Sequence, residues 1–331
     1  MPGHTVLVTG AGFSRPAGGP LLRELLSKDC LGQSAADTGM LDMLVRLFQE
    51  RQHSAGETTF SLEDFFTDIW REARTGGSFT LDGVSLPAQS LLSTITIHLA
   101  SVCGGIRIRR AGQLWTTYTT FLRRLFQQSR TLTIVTLNYD LLIEQLLDDI
   151  GLRYEYGASG IIEFDDPARR RRLRRSGSQL DIYKLHGSAS WGVCRGCGKA
   201  KSSSDQVTSF ETTYVPIRRK SCPWCKERFL ESGIVPPILE KAGESRYREP
   251  IWVSARKALR RAREVIVIGY SLPESDHEAL SLFREIESPF KRPRITVVCG
   301  KRGAPTAYSK VFARFTDVQM YFEEFASKWT S

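Results

Sequence analysis

His4-Thr5-Val6-Leu7-Val8-Thr9-Gly10-Ala11-Gly12-Phe13-Ser14 decides the fold class. An apolar, β-branched run of strand length ends in two closely spaced glycines, which reads as a buried strand feeding a glycine turn. Further along, Leu132 to Thr136 and Asp181 to Leu185 repeat the strand character. So do Val265-Ile266-Val267-Ile268 and Ile295-Thr296-Val297-Val298, bounded by Gly269 and Gly300. Helical spacing lies between these runs. Leu114, Tyr118, Phe121, Leu122 and Leu125 share one helical face, as do Ile251, Ala255, Ala258, Leu259 and Ala262. A further helix is expected from about Tyr139 to Asp148, and one near Gly19 after the glycine turn. Strands alternating with helices predict an α/β, doubly wound parallel sheet covered on both faces. Residues 20–130 read as a helical insertion and 191–231 as a small metal-bound module. That leaves 1–19, 131–190 and 232–331 to build the main sheet.

The composition suits a globular chain: 331 residues, 41% hydrophobic and 25% charged. The formal net charge of +10 favours polyanionic partners. Part of that excess is local, in Arg169-Arg170-Arg171-Arg172-Leu173-Arg174-Arg175. Such a block reads either as a solvated, mobile loop or as a contact with a polyanion or acidic partner. The opening run is short and lacks a basic leader, so a secretory signal is not expected. No apolar run reaches the length of a membrane span. A reducing cytoplasmic setting is therefore expected for the seven cysteines, where paired thiols mean metal more than disulfides.

Each chemical motif carries two readings. Gly10-Ala11-Gly12 lets a backbone approach a pyrophosphate, yet a strand-to-helix turn needs glycine for steric reasons anyway. Asn138 and Asp140, in Thr136-Leu137-Asn138-Tyr139-Asp140, sit where ligands gather at the carboxyl ends of strands, or simply cap the next helix. His186, in Lys184-Leu185-His186-Gly187-Ser188, is either a proton-transfer group at a strand end or a satisfied structural histidine. His4, His53, His98 and His277 carry no such context. The signal in Cys194-x-x-Cys197 and Cys222-x-x-Cys225 is stronger. Two tight bends place four thiolates around one Zn²⁺, closed to substrate and hence structural. Gly196, Gly198 and Pro223 shape the bends, and Cys30, Cys103 and Cys299 read as small buried hydrophobes.

The order of these motifs, closing with Gly269-Tyr270-Ser271-Leu272, resembles the sirtuin family across nearly the whole chain. The resemblance implies a Rossmann-like domain and a smaller zinc-bearing domain with NAD bound between them. It implies His186 as general base, Asn138 orienting the nicotinamide ribose and a water, and Asp140 supporting the nicotinamide side. Gly10, Ala11, Gly12 and Ser14 would cradle the phosphates, with Gly269 and Ser271 on the far side of NAD. Two departures stand out. Arg15-Pro16-Ala17-Gly18-Gly19-Pro20 replaces the Gly-Ile-Pro-Asp-Phe-Arg segment of protein deacylases, and Val235-Pro236-Pro237-Ile238-Leu239-Glu240-Lys241 replaces their peptide-pairing Phe-Gly-Glu segment. Gly269-Tyr270-Ser271-Leu272-Pro273-Glu274-Ser275-Asp276 is similar to divergent prokaryotic sirtuin-like proteins that hydrolyse NAD in antiviral defence. The expectation is thus an NAD glycohydrolase, an oligomer or the ward of a partner ATPase, nuclease or sensor. The competing expectations are a deacylase or ADP-ribosyltransferase, and a non-catalytic NAD or ADP-ribose binding module.

Overall fold

The computed structural model describes residues 3–55, 60–157, 162–164, 166–194, 196–202, 222, 224–226, 230–239, 248–287 and 292–330. Pro223, Glu240 and Lys241 of the motifs above lie outside them. The strands are β1 (His4–Thr9), β2 (Ser78–Leu81), β3 (Val84–Pro87), β4 (Thr131–Thr136), β5 (Tyr154–Tyr156), β6 (Ile162–Phe164) and β7 (Leu180–Lys184). They continue as β8 (Gly187–Cys194), β9 (Ala200–Ser202), β10 (Leu230–Ile234), β11 (Glu264–Ile268), β12 (Arg294–Val298) and β13 (Thr316–Val318).

A parallel sheet in the order β13-β12-β11-β1-β4-β7-β5 forms the centre, as the alternating pattern predicts. Its middle strand, β1, buries Val6, Leu7 and Val8 completely, the unbroken apolar run of a strand covered on both faces. Register then determines where the loops emerge. Thr9 lies opposite Thr136 on one side and Ile268 on the other, so the turns after β1, β4 and β11 leave the sheet together. From β1 the chain winds outward to β4; from β11 it winds the opposite way to β12. This reversal is a topological switch point, where open α/β sheets open a crevice beyond their strand ends.

Two hydrophobic cores pack around this frame. The larger surrounds the central sheet and takes in Tyr118, Phe121, Leu122 and Leu125 of helix Gln113–Gln128, on the face that the spacing predicted. The second joins Leu41, Leu44, Phe65, Phe66, Leu91 and Ile95 across helices Thr38–Ala55, Leu62–Thr75 and Ala88–Gly104. It also includes Ala189 of β8 and Ile234 of β10, members of a smaller sheet ordered β10-β8-β9-β6. Residues 20–130 therefore divide between two packing environments.

Local readings differ from the structure at four places. The glycine turn enters a helix at once, Ala11–Ser14, followed by a 3₁₀ turn Arg15–Ala17; near Gly19 only a second 3₁₀ turn, Leu22–Glu24, begins. Pro16 at the head of the Arg15–Ala17 turn and Gly18 at φ +87° end it early. The mainly helical insertion contains the hairpin β2–β3, whose Asp82-Gly83 turn has positive φ at both positions, as a type I′ turn requires. The helix expected from Tyr139 begins at Leu142, because Asp140 Oδ1 accepts the Leu142 N–H at 3.1 Å. The arginine run is a helix, Pro167–Ser176, rather than a loop. Asp166 caps its N-terminus and Pro167 sits in its first turn.

Candidate active site at the strand ends

A cavity of about 1160 Å³ opens at the switch point, at or above the upper end of the range for small-molecule sites, roughly 300–1,000 Å³. Ala11, Gly12, Ser14, Asn138, Asp140, His186, Gly269 and Ser271 all line it. Every predicted nucleotide-site residue except Gly10 thus lines one space, and Gly10 O accepts from Asn138 Nδ2.

The glycines are required by the protein itself. The Gly10 N–H donates to Ile268 O at 3.0 Å and the Gly12 N–H to Gly269 O at 2.8 Å. A Cβ on Gly12 would lie 2.7 Å from Gly269 Cα, and one on Gly269, at φ +67°, would lie 2.2 Å from Phe13 N. The β1 and β11 loops are interlocked, so the steric reading of these glycines holds whatever the cavity binds.

Polar bonds tie the remaining groups together. Asn138 Nδ2 donates to Gly10 O at 2.9 Å and to Ser14 Oγ at 3.0 Å, and Ser14 Oγ donates to Asp140 Oδ2 at 2.7 Å. Asp140 is buried, which pushes its carboxyl above the usual carboxylate range; the Lys184 ammonium and the Ser14 hydrogen bond act the other way. Lys184, itself buried, donates to Asp140 O at 2.5 Å and pairs with Glu144 at 3.0 Å. So Asp140 does start a helix, and it also joins the glycine turn to β4.

His186 stands across the cavity, with its ring centroid 6.4 Å from both Tyr139 and Trp252. Its Nε2 lies 3.1 Å from Asp276 Oδ2. The bond that holds its backbone is equally telling: the Val235 N–H donates to His186 O at 3.0 Å, and Tyr139 Oη donates to Val235 O at 2.7 Å. The Leu239 N–H is taken by Thr67 Oγ1 at 2.9 Å, and Pro236 and Pro237 have no N–H. The far wall is supplied by the helical layer, including Leu22, Phe48, Phe60 and Leu62. Sequence reading missed Asp276 as a partner of His186, and Tyr139 and Val235 as its supports. Nothing in spacing alone links Asp276 to a histidine so far away in the chain.

The other cysteines and histidines fall mostly as expected. Cys30 and Cys103 are buried, while Cys299 is only half-buried and donates to Tyr270 O at 3.0 Å. Burial pushes the Cys299 thiol up to about 12. His98 is buried and donates through Nε2 to Leu25 O at 2.6 Å, a structural bond within the helical layer.

Away from the cavity, Cys194, Cys197, Cys222 and Cys225 place their sulfurs within 4.8 Å of one another. Cys194 and Cys225 are 3.5 Å apart and Cys197 and Cys222 3.7 Å. Sulfurs about 2.3 Å from a tetrahedral zinc lie roughly 3.8 Å apart, so this donor set fits a structural Zn²⁺ with no coordination position left for substrate. Its role would be to pin the end of β8, where Cys194 sits.

Residues 132–307 match the SIR2-like domain family. The chain belongs to the SIR2-like family. Several solved Sir2 structures are similar to it. Sir2Tm bound to a propionylated peptide shares 16% identity, over 98% of this chain and 90% of that one, with a TM-score of 0.42. A Sir2–p53 peptide–NAD⁺ structure shares 18%, over 98% and 90%, with a TM-score of 0.43. A Sir2 structure addressing mechanism and regulation shares 15%, over 99% and 91%, with a TM-score of 0.45. No curated protein matches the sequence. Membership of the SIR2-like family supports an NAD-dependent, sirtuin-like activity, and the cavity lies where a doubly wound sheet takes a dinucleotide. No described helix is long and apolar enough to cross a membrane.

Proposed function

We propose that this SIR2-like protein is an NAD glycohydrolase, cleaving NAD⁺ with water to nicotinamide, ADP-ribose and a proton. The observation that carries the choice of hydrolysis over peptide deacylation is the Val235–Leu239 segment. A peptide adds to such a segment through free backbone donors and acceptors. Here the Val235 N–H and C=O are already bonded to His186 and Tyr139, the Leu239 N–H to Thr67, and two prolines lie between. With these N–H donors taken and the prolines supplying none, water is the acceptor this reading favours.

In this reading the turn Gly10, Ala11, Gly12 and Ser14 cradles the pyrophosphate by close approach of its glycine backbone, with Ala11, Gly12 and Ser14 at the cavity and Gly269 and Ser271 opposite. Asn138 holds the ribose and the attacking water, and Asp140 supports the nicotinamide side. As the C1′–N bond breaks, positive charge grows on the ribose, an oxocarbenium-like transition state. Water adds at C1′ and its proton passes to His186, directly or through a ribose hydroxyl. Fixing the two ends of NAD removes much of the entropic barrier. Segments 1–19, 131–190 and 232–331 form the NAD-binding part, 20–130 its cover, and 191–231 a zinc module expected to hold one zinc per chain.

The resemblance to NAD-hydrolysing defence proteins supports a role as an antiviral effector in a prokaryotic cytoplasm. Such an effector is restrained by oligomerisation or by a partner protein. The helix Pro167–Ser176, with its exposed Arg171, Arg172, Arg174 and Arg175, is the surface proposed for a polyanionic or acidic contact. The test of the activity is nicotinamide release from NAD by the purified chain, beside Asn138→Ala and His186→Ala, with and without an acyl-lysine peptide. Release without peptide that both substitutions abolish is the expected result. Release that requires the peptide would replace hydrolysis with deacylation; NAD binding that persists in both variants without any turnover would leave a binding module.

A further inference from the structure

We propose that Asp276 is a positioning residue for His186, holding its ring and raising its basicity, so that the two act as a carboxylate–imidazole pair. The proposal rests on the reading of His186 as general base.

Asp276 is 3% exposed, and its Oδ2 lies 3.1 Å from His186 Nε2. An ionised carboxylate only accepts, so the imidazole nitrogen facing it carries the proton. In the neutral ring the lone pair is then on Nδ1. As the ring becomes cationic, the adjacent carboxylate stabilises the charge; the proton stays on the imidazole.

The carboxylate is itself held from several sides. Tyr270 Oη donates to Oδ2 at 2.9 Å, and the Ala279 N–H donates to Oδ1 at 3.3 Å, capping helix His277–Arg284. Its loop is anchored by Gly269, whose N–H donates to Val298 O at 2.8 Å, and by Tyr308 Oη donating to Tyr270 O at 2.8 Å. Leu272, fully buried, holds φ +50°, a left-handed conformation that persists only where surroundings enforce it. Ser275 Oγ donates to Glu63 Oε2 at 2.9 Å, so the helical layer grips the same loop. A carboxylate fixed this firmly beside the proposed base does more than fill space.

Other charged groups surround the pair and enter the pH behaviour. Arg248 is buried, donates to Leu185 O at 3.5 Å and pairs with Glu278 at 2.7 Å. Tyr139 packs on the His186 ring, and burial, with Cys103, Asp276 and Glu63, raises its phenol; Arg248 opposes this. Asp276 contacts the imidazole directly, Oδ2 to Nε2.

The test is histidine-labelled NMR titration of the full chain, with the His186 signal assigned by its loss in His186→Ala, beside the pH profile of nicotinamide release. Asp276→Asn is expected to lower the ring pKa by about one unit, the effect of removing an adjacent opposite charge. The acid limb of the rate profile should move to lower pH by the same amount. The plateau kcat should fall roughly 10- to 100-fold with KM within about threefold, since only the base is weakened. Asp276→Glu should restore part of both, and Tyr270→Phe should leave the charge and give a smaller loss. A ring pKa moved by less than about 0.2 unit in folded Asp276→Asn, whatever its melting temperature, would overturn the proposal as a purely structural carboxylate. If the wild-type chain releases no nicotinamide while NAD binds, the glycohydrolase reading fails; the ring titration still decides the pair.

Discussion

The two walls of the cavity are built differently. The sheet wall is polar and cross-tied: Asn138, Ser14 and Asp140 bond to one another, and His186 lies against Asp276. The helical wall is mainly apolar: Leu22, Phe48, Phe60 and Leu62, from a separate core that meets the β11 loop through Glu63 and Ser275, outweigh its polar Arg23, Gln52 and Ser61. Chemistry that must hold atoms within a fraction of an ångström belongs on the first kind of wall, which is preorganised by strand register. The second kind supplies burial and exclusion of water, which tolerate movement.

Breaking the sheet wall should therefore cost most. His186→Ala or Asn138→Ala should lower kcat for NAD cleavage by about 10²–10⁴-fold, the usual worth of a positioned proton-transfer or orienting group. Both variants should also lower the melting temperature, since Asn138 ties the glycine turn and His186 partners the buried Asp276, so kcat is compared at a temperature where each remains folded. Next comes the support beneath it. Lys184→Met leaves Glu144 buried without its cation, and one Glu144 oxygen already lacks a partner among the described residues. Breaking a buried pair in this way costs about 3–5 kcal/mol, measurable by urea denaturation.

The helical wall should respond more gently and in a different parameter. Phe60→Ala should raise KM about 5- to 30-fold, equivalent to roughly 1–2 kcal/mol of lost apolar contact, with kcat nearly unchanged. A fall in kcat equal to that of His186→Ala would erase the distinction between the walls. The smallest effect lies inside the helical layer. Burial holds the His98 imidazole below its ordinary value, against its bond to Leu25 O. As pH falls below about 6.5 the unfolded chain takes up a proton that folded His98 resists, so stability declines. That loss is absent at higher pH. His98→Gln should flatten the dependence of melting temperature on pH between neutral and mildly acidic conditions.

The same contrast explains what could be read from sequence. The sheet wall was legible because strand ends carry punctuation: Gly10 and Gly12 after β1, Asn138 and Asp140 after β4, His186 after β7. Parallel register then brings such ends together without further information. The Cys194, Cys197, Cys222 and Cys225 set was legible from spacing alone. The pairing of Asp276 with His186 was not, since it depends on how the β11 loop folds back across the switch point. Nor was the helical wall, whose Phe48 and Phe60 carry only an apolar pattern. The β2–β3 hairpin is a different case: Asp82-Gly83 is a strong turn signal, submerged in a segment dominated by helical spacing. The arginine run misled because like charges repel, while Asp166, Pro167 and Gly177 specify a helix around them.

The central claim is that this cavity cleaves the nicotinamide–ribose bond with water alone. A proton NMR time course of NAD with the purified chain, free of acyl peptide, tests it most directly. The account predicts nicotinamide and ADP-ribose appearing in equal amounts as NAD disappears. An NAD spectrum left unchanged by the folded chain would contradict it, whether or not calorimetry shows a heat of NAD binding.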